Sequence, residues 1–564
     1  MHEKRKEKME REKAIAKTYV MEGFLKKIDE ISMKNSIKYI VYGSSLIFFF
    51  ALIFTPPIAG IIENIGKLGE IQRDPSLFTR ANLAVINSFV MAFIVAVLDL
   101  VAALPLAWFI VRSKMKYVNF VDTLVDIPFL IPTAALGYSA LLFWSSPNGI
   151  SKVLGVESFI PPGFLLVLLL HFTFSYPVIV RIMVGELLTY KEVYEVAART
   201  LGAQPFTAVR TITLPLLKPG IIAAFLLAFA RSLSETGATV MVAGDFENGP
   251  VFIFRNIGVV GESVLVYISS LLLLSSVAIF FLIRLLAPKL RFPIRRAFPS
   301  IERKLSSSKM VRSRDILTLL VFLIVVIVPS LFVVLPMVGA FFDGTINGII
   351  TGSESWRNFW RSMSISYMVG FISTLMNIVF GLPAAILIAR RKLGKATQIL
   401  KALISIPIIV PSISLGVSLR LFWGKYAFIP EFWIIVLSHT TITYTYFVES
   451  VAAAIESIPT EIEETASTLG AKPFTIFRRI TLPLTKYAIF SGAVLVFTRS
   501  LGETGATKAV MKTLNYQTLP VLLVKWITSE HITESQSALG AGIYIISSFI
   551  ALLVLRFLTR GGKR

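Results

Sequence analysis

EVAARTLGAQPFTAVRTITLPLLK (195–218) and EETASTLGAKPFTIFRRITLPLTK (463–486) are two versions of one segment. The likeness runs on without a gap into ARSLSETGAT (230–239) and TRSLGETGAT (498–507). Gly202 and Gly470, Pro215 and Pro483, and Glu235 and Glu503 each stand 268 residues apart. His171, Thr173 and Tyr176 keep that spacing to His439, Thr441 and Tyr444. Upstream, IPFLIPTAALG (127–137) matches IPIIVPSISLG (406–416) at a spacing of 279 residues. The chain is an internal duplication. The spacing changes in a connecting loop, where extra length costs little.

The residues around the repeat say which solvent it folds in. Of 564 residues, 55% are hydrophobic and 16% charged, with a mean hydropathy of +0.74. That is more apolar surface than a soluble core hides. The formal net charge of +22 suits nucleic acid or an anionic membrane face. Lys and Arg sit at the ends of apolar runs, so a lipid bilayer, not nucleic acid, is the expected partner. There is no cysteine, which removes disulfides, thiolate metal sites and cysteine nucleophiles.

A hydrocarbon core of about 30 Å takes about 20 apolar residues as a helix. That ruler predicts twelve spans. Six lie near 38–62, 84–111, 121–144, 161–186, 219–243 and 263–287. Six more lie near 315–342, 362–389, 400–423, 431–454, 487–510 and 537–558. Pro128, Pro132, Pro407 and Pro411 interrupt the third and ninth. They bend those spans, and the freed carbonyls either line a pathway or only accommodate packing.

Alternate loops are rich in Lys and Arg, among them Arg112, Lys114, Lys116, Lys191, Arg199, Arg291, Arg295, Arg296, Arg390, Arg391, Lys392, Lys563 and Arg564. The richer set is expected to face the cytoplasm, with both termini inside. The expected organisation is a basic tail (1–36), a first six-span copy (37–288), a basic linker (289–314) and a second six-span copy (315–564). The tail begins MHEKRKEKMEREK and shows no signal-peptide pattern. Met21, Phe24, Leu25 and Ile28 have the spacing of an amphipathic surface helix, and a solvated charged tail is the alternative. The fold class is an all-α integral membrane protein of about twelve helices. Its two parallel six-helix repeats are related by a pseudo-two-fold axis along the membrane normal.

The loop after the fourth span of each copy carries Val196, Ala197, Ala198, Gly202, Ile212, Leu214 and Pro215, then Glu464, Thr465, Ala466, Gly470, Ile480, Leu482 and Pro483. Small residues let a helix approach a partner closely, and the glycines permit a sharp turn. The prolines are expected to begin the following helices. These loops, 190–219 and 458–487, resemble the EAA loop of ATP-binding cassette importer permeases. The resemblance implies the type I importer (MetI-like) permease fold. It also implies a short coupling helix that docks on an ATPase subunit, with Glu195, Ala197, Ala198, Gly202, Glu464, Ala466 and Gly470 at the contact. Val196 stands where that family usually has Glu, and Thr465 replaces the first Ala, so docking is expected to be asymmetric.

No G-x-x-x-x-G-K-[ST] phosphate loop occurs, so no nucleotide site and no catalytic residue is expected in this chain. The resemblance places ATP and Mg on two separate ATPase subunits. It adds an extracytoplasmic substrate-binding protein as third partner, in the cell (plasma or inner) membrane. RSLSETGATVMVAG (231–244) looks like the corresponding stretch in molybdate, tungstate and sulfate permeases, whereas the fused design resembles iron(III) and thiamine permeases. The expected cargo is an inorganic ion, iron(III) or an oxyanion. Thiamine, another small solute, or an ion-gradient-driven carrier are the alternatives.

Arg231 and Glu235 lie four apart in the fifth span, and Arg499 and Glu503 repeat this in the eleventh. At that spacing each pair shares a helix face and can neutralise itself. Each is either a pathway lining or gate, or a structural ion pair. Gly237 and Gly505 permit close helix approach. His171 and His439 are expected to be polar glue between helices rather than metal ligands, because no carboxylate or cysteine cluster accompanies them. Asp99, Asp122 and Asp126 receive no role.

Overall fold

A computed structural model describes residues 23, 25–286, 289, 299–529 and 531–560. Met21 and Phe24 of the expected surface helix lie outside these residues, as do Arg291, Arg295, Arg296, Lys563 and Arg564. Regular structure among the described residues is entirely helical. Eight unbroken helices are long and apolar enough to cross a membrane, and three bent pairs raise the number to eleven. Glu431–Glu456 is the remaining expected span, 26 residues made more polar by His439 and Thr440, Thr441, Thr443 and Thr445.

Several expected spans are broken. Val118–Leu130 meets Thr133–Trp144 at 108°, and Ala396–Ile409 meets Ser412–Trp423 at 105°. The prolines bend both spans, as expected, and by more than a right angle. Ile131 and Val410 are extended, each followed by a proline that caps the next helix. Proline cannot continue the hydrogen-bond ladder and pushes the residue before it out of the helical region.

The fifth span was expected to run through 243 and the eleventh through 510. They end instead at Ser234 and Leu501, and short helices Gly237–Val242 and Gly505–Val510 follow. Their starts also differ from expectation. Helix begins at Pro205 and Pro473, and π turns at Val209–Thr213 and Phe477–Thr481 precede Pro215 and Pro483. Pro215 and Pro483 stand, as expected, in the first turn of the α-helical segments Leu214–Leu216 and Leu482–Leu501, each continuous with the π turn ahead of it. Pro219 has Tyr487 as its counterpart. The first copy bends by 72° next to Pro219, whereas Pro473–Leu501 is unbroken.

The first span (Asn35–Ile62) and the seventh (Ser308–Phe342) are exchanged between the copies. Phe48, Phe49 and Ile53 pack among Ala384, Tyr444 and Phe447 of the second copy. Phe322, Val326 and Ile327 pack among Ala103, Tyr176 and Ile179 of the first. The two contacts are copies of each other: the Phe49 and Tyr444 rings stack at 5.7 Å, and the Phe322 and Tyr176 rings at 6.0 Å. Each exchanged span carries a π turn, Phe49–Phe54 or Phe322–Ile327, ahead of Pro56 or Pro329. Lipid tails are as apolar as leucine, so close packing and interhelical hydrogen bonds hold such helices together. Ser45 Oγ donates to Phe380 O (2.5 Å), and Thr173 Oγ1 donates to Val325 O (2.9 Å), both across the exchange.

Candidate functional site

Both loops lie at one end of the bundle. Each holds a short helix, Val193–Thr200 and Thr460–Thr468. Gly202 (φ +91°) and Gly470 (φ +87°) end them in the left-handed region, where a Cβ is disfavoured. The closing bonds match: Gly202 N to Arg199 O and Gly470 N to Ser467 O, both 3.0 Å. The turn holds Leu201 and Leu469 out in solvent, 90% and 83% exposed. Val193, Tyr194 and Val196 are also exposed on the first loop, and Ile462 on the second.

The carboxylates separate by face. Glu464 and Ala197 are exposed, Ala198 and Ala466 half-buried, and Glu195 is buried against its own copy. Thr213 Oγ1 donates to Glu195 at 3.4 Å. Burial pushes the Glu195 carboxyl up, and nearby Arg112 tempers that rise. The residue 268 places on is Glu463, not Glu464. Arg390 donates to both oxygens of Glu463 (3.0 and 2.9 Å) and Thr481 Oγ1 adds a third bond (2.8 Å). Burial opposes ionisation there, but these bonds outweigh it and the carboxyl sits below its ordinary value.

The segment just ahead of the other copy grips the helix that follows each loop: the linker holds the first and the N-terminal tail holds the second. Phe206 N donates to Ser306 Oγ (3.1 Å), Thr207 Oγ1 to Glu302 (2.5 Å) and Arg210 Nε to Glu302 (2.9 Å). The second loop repeats this. Phe474 N donates to Ser32 Oγ (3.3 Å) and Thr475 Oγ1 to Asp29 (2.5 Å). Gln204 and Lys472 at the N-caps make no side-chain cap bond, so Ser306 and Ser32 supply acceptors from outside the helix.

Deeper in the bundle the two copies meet at a seam. Arg231 pairs with Glu235 at 3.3 Å and Arg499 with Glu503 at 2.7 Å. Both expected pairs form, although not on a continuous helix face, because each glutamate lies past a helix end. Glu503 also accepts from Ala506 N (2.9 Å). Thr133 Oγ1 donates across the seam to Gly502 O (3.0 Å), and Ser412 Oγ donates to Ser234 O (3.4 Å). A Cβ on Gly237 would stand 2.3 Å from Thr504 Oγ1, and one on Gly505 2.7 Å from Thr236 Oγ1. Two glycines thus let the broken segments cross in contact.

Between the seam and the loop end is a cavity of about 300 Å³, lined by both copies. Arg231, Arg499 and Arg181 reach it, with Phe174, Tyr446 and Thr498. The Arg231 guanidinium lies 5.0 Å from the Phe174 ring centre. Arg181 is held by Asp126 (2.7 Å) and Asp122 (2.5 Å), which gives those acids a partner. The counterpart of Arg181 is Glu449, which accepts from Ser405. Asp99 is buried and accepts from Ser175; its neighbourhood in the second copy holds Asn377, whose amide donates to Thr443 (2.8 Å). No sequence signal pointed to Asp99, since a lone acid in an apolar run does not name its partner.

The family described as binding-protein-dependent transport system inner membrane component matches residues 100–292 and again 381–563. The molybdenum transport system permease protein ModB of Escherichia coli (strain K12) is 31% identical over 217 residues, 36% of this chain and 93% of that protein. The sulfate transport system permease protein CysW of Synechococcus elongatus is 28% identical over 279 residues, 46% of this chain and 96% of that protein. ModB of Mycobacterium bovis is 31% identical over 173 residues, 27% of this chain, and the match spans 65% of its length. Two family matches on two structural copies identify this chain as a multi-pass membrane protein that belongs to the binding-protein-dependent transport system inner membrane components and carries their domain twice.

Proposed function

We propose that this chain is the permease of an ATP-driven importer, moving an inorganic oxyanion handed over by an external binding protein. Two ATPase subunits sit on the loop helices and supply ATP and Mg; this chain catalyses nothing. The observation that carries the proposal is the duplicated loop. Two helices present apolar tips, Leu201 and Leu469, in matched places at one end of the bundle. The family description supports a binding protein, and the relatives' names support an anion such as molybdate or sulfate. With the loop end in the cytoplasm, both termini are inside, and the seam is the barrier on the outer side of the cavity. Glu195 and Glu463 serve the loops from within, whereas Glu464, Ala197, Ala466, Gly202 and Gly470 shape the docking face.

The test is purification with the candidate ATPase and binding protein, followed by uptake of labelled molybdate or sulfate into proteoliposomes. Excess iron(III) or thiamine should not compete. Gly202→Pro or Gly470→Pro should abolish ATP-driven uptake while the permease stays folded, because proline cannot adopt a positive φ. Failure to recruit an ATPase, or uptake that follows an ion gradient and ignores ATP, would return the secondary-carrier alternative.

A further inference from the structure

His171 and His439 hold matched places on the fourth and tenth spans, and each ring reaches both sides of the break in the span beside it. His171 Nδ1 lies 2.8 Å from Ser232 Oγ, before the break, and Nε2 lies 2.9 Å from Thr239 Oγ1, after it. His439 Nδ1 and Nε2 lie 2.7 Å from Ser500 Oγ and from Thr507 Oγ1. Both rings are buried. A neutral imidazole offers one donor and one acceptor; with each threonine proton given to a carbonyl, Nε2–H donates to the threonine and Nδ1 accepts from the serine. Thr239 and Thr507 also donate to the carbonyls of Glu235 and Glu503 (3.3 and 3.4 Å).

In the first copy the break lacks a helical ladder; in the second, Gly502 N still bonds Thr498 O and Glu503 N bonds Ser500 O (both 3.1 Å), and the regular ladder stops there. Glu235 is extended, and a segment without internal hydrogen bonds does not transmit force along its axis. The fourth span does. Phe164–Thr189 leads directly into the loop helix at Val193, and His171 lies about 27 Å up it from Thr189. We infer that His171 and His439 are positioning residues that fasten the two sides of each break into one unit and make that unit follow the loop-bearing span. A push on the loop then reaches the seam through the fourth or tenth span, bypassing the break at Glu235 or at Glu503. The meaning of that movement rests on the importer proposal; the fastening rests on the geometry alone.

The chain has no cysteine, so Thr236→Cys places a single thiol at the seam. The complex with ATPase and binding protein is reconstituted, and the thiol is labelled with a membrane-impermeant maleimide from the binding-protein side. At rest the parent should be protected. His171→Ala with His439→Ala should raise labelling severalfold and make ATP hydrolysis largely independent of loaded binding protein. Thr239→Val with Thr507→Val keeps the side-chain shape, cuts only the far hydroxyl, and should do the same. If the alanine pair fails to assemble, the valine pair decides. Labelling and binding-protein dependence at parental values in the variants that assemble would overturn the fastening. A parent that neither recruits an ATPase nor transports would defeat the importer proposal instead, and the labelling comparison would still decide the fastening.

Discussion

Glu195 and Glu463 occupy one place in two copies, yet their surroundings drive them apart. Burial raises the Glu195 carboxyl, so its ionised form weighs against the fold at neutral pH, and that penalty is relieved as pH falls through its raised pKa. Glu463 is lowered, so its contribution is present above the ordinary carboxylate pKa and is lost as pH falls through the depressed value. Glu463→Gln should therefore cost about 2 kcal/mol at pH 7, the scale of a charged hydrogen bond to Arg390. Its gap to the parent should shrink in acid. Glu195→Gln should match or exceed the parent at pH 7 and converge with it as pH falls. Melting midpoints in detergent against pH check both, and a Glu463→Gln gap that widens in acid would contradict the assignment. The E-T-A stretch at 464–466 drew attention to Glu464, but a pattern in one dimension does not say which side of a short helix is covered.

Two elements carry the expected work, the seam and the grips behind the loops. At the seam, Gly237→Ala sets a Cβ against Thr504 on a backbone held from both sides. It should prise the crossing segments apart and let anions leak from loaded liposomes without ATP; sealed liposomes would show that the crossing is not the barrier. At the grips, Glu302 is buried and accepts both a hydroxyl and a guanidinium, whereas Asp29 accepts Thr475. Glu302→Ala should cost about 3 kcal/mol, as loss of one partner of a buried ion pair does. Asp29→Ala should cost less. Equal shifts in melting midpoint would mean that the Arg210 bond adds nothing. The pairing of Arg231 with Glu235 was legible from a spacing of four. The end of the helix between them was not, because S-E-T-G-A-T reads as a passable helix until another segment crosses it.

At the scale of the molecule, the exchange of the first and seventh spans makes each copy incomplete without the other. Residues 1–290 and 299–564 produced separately should each fail to give a monodisperse species. Produced together, they should copurify. Two stable, separate halves would contradict the exchange. The family matches begin at residues 100 and 381, so they leave out both exchanged spans. Those spans share few residues beyond a proline after a run of large apolar side chains, and their matched π turns and ring stacks reveal them as copies.

Hydropathy, the repeat and the loop glycines were decided by the sequence alone, because each rests on local chemistry: apolar length against bilayer thickness, and φ at Gly202 and Gly470. Which helix lies against which, how sharply the chain bends at Pro132 and Pro411, and which hydroxyls His171 meets were decided by tertiary contact. A residue's own neighbours in the chain carry no record of the surface it finally meets.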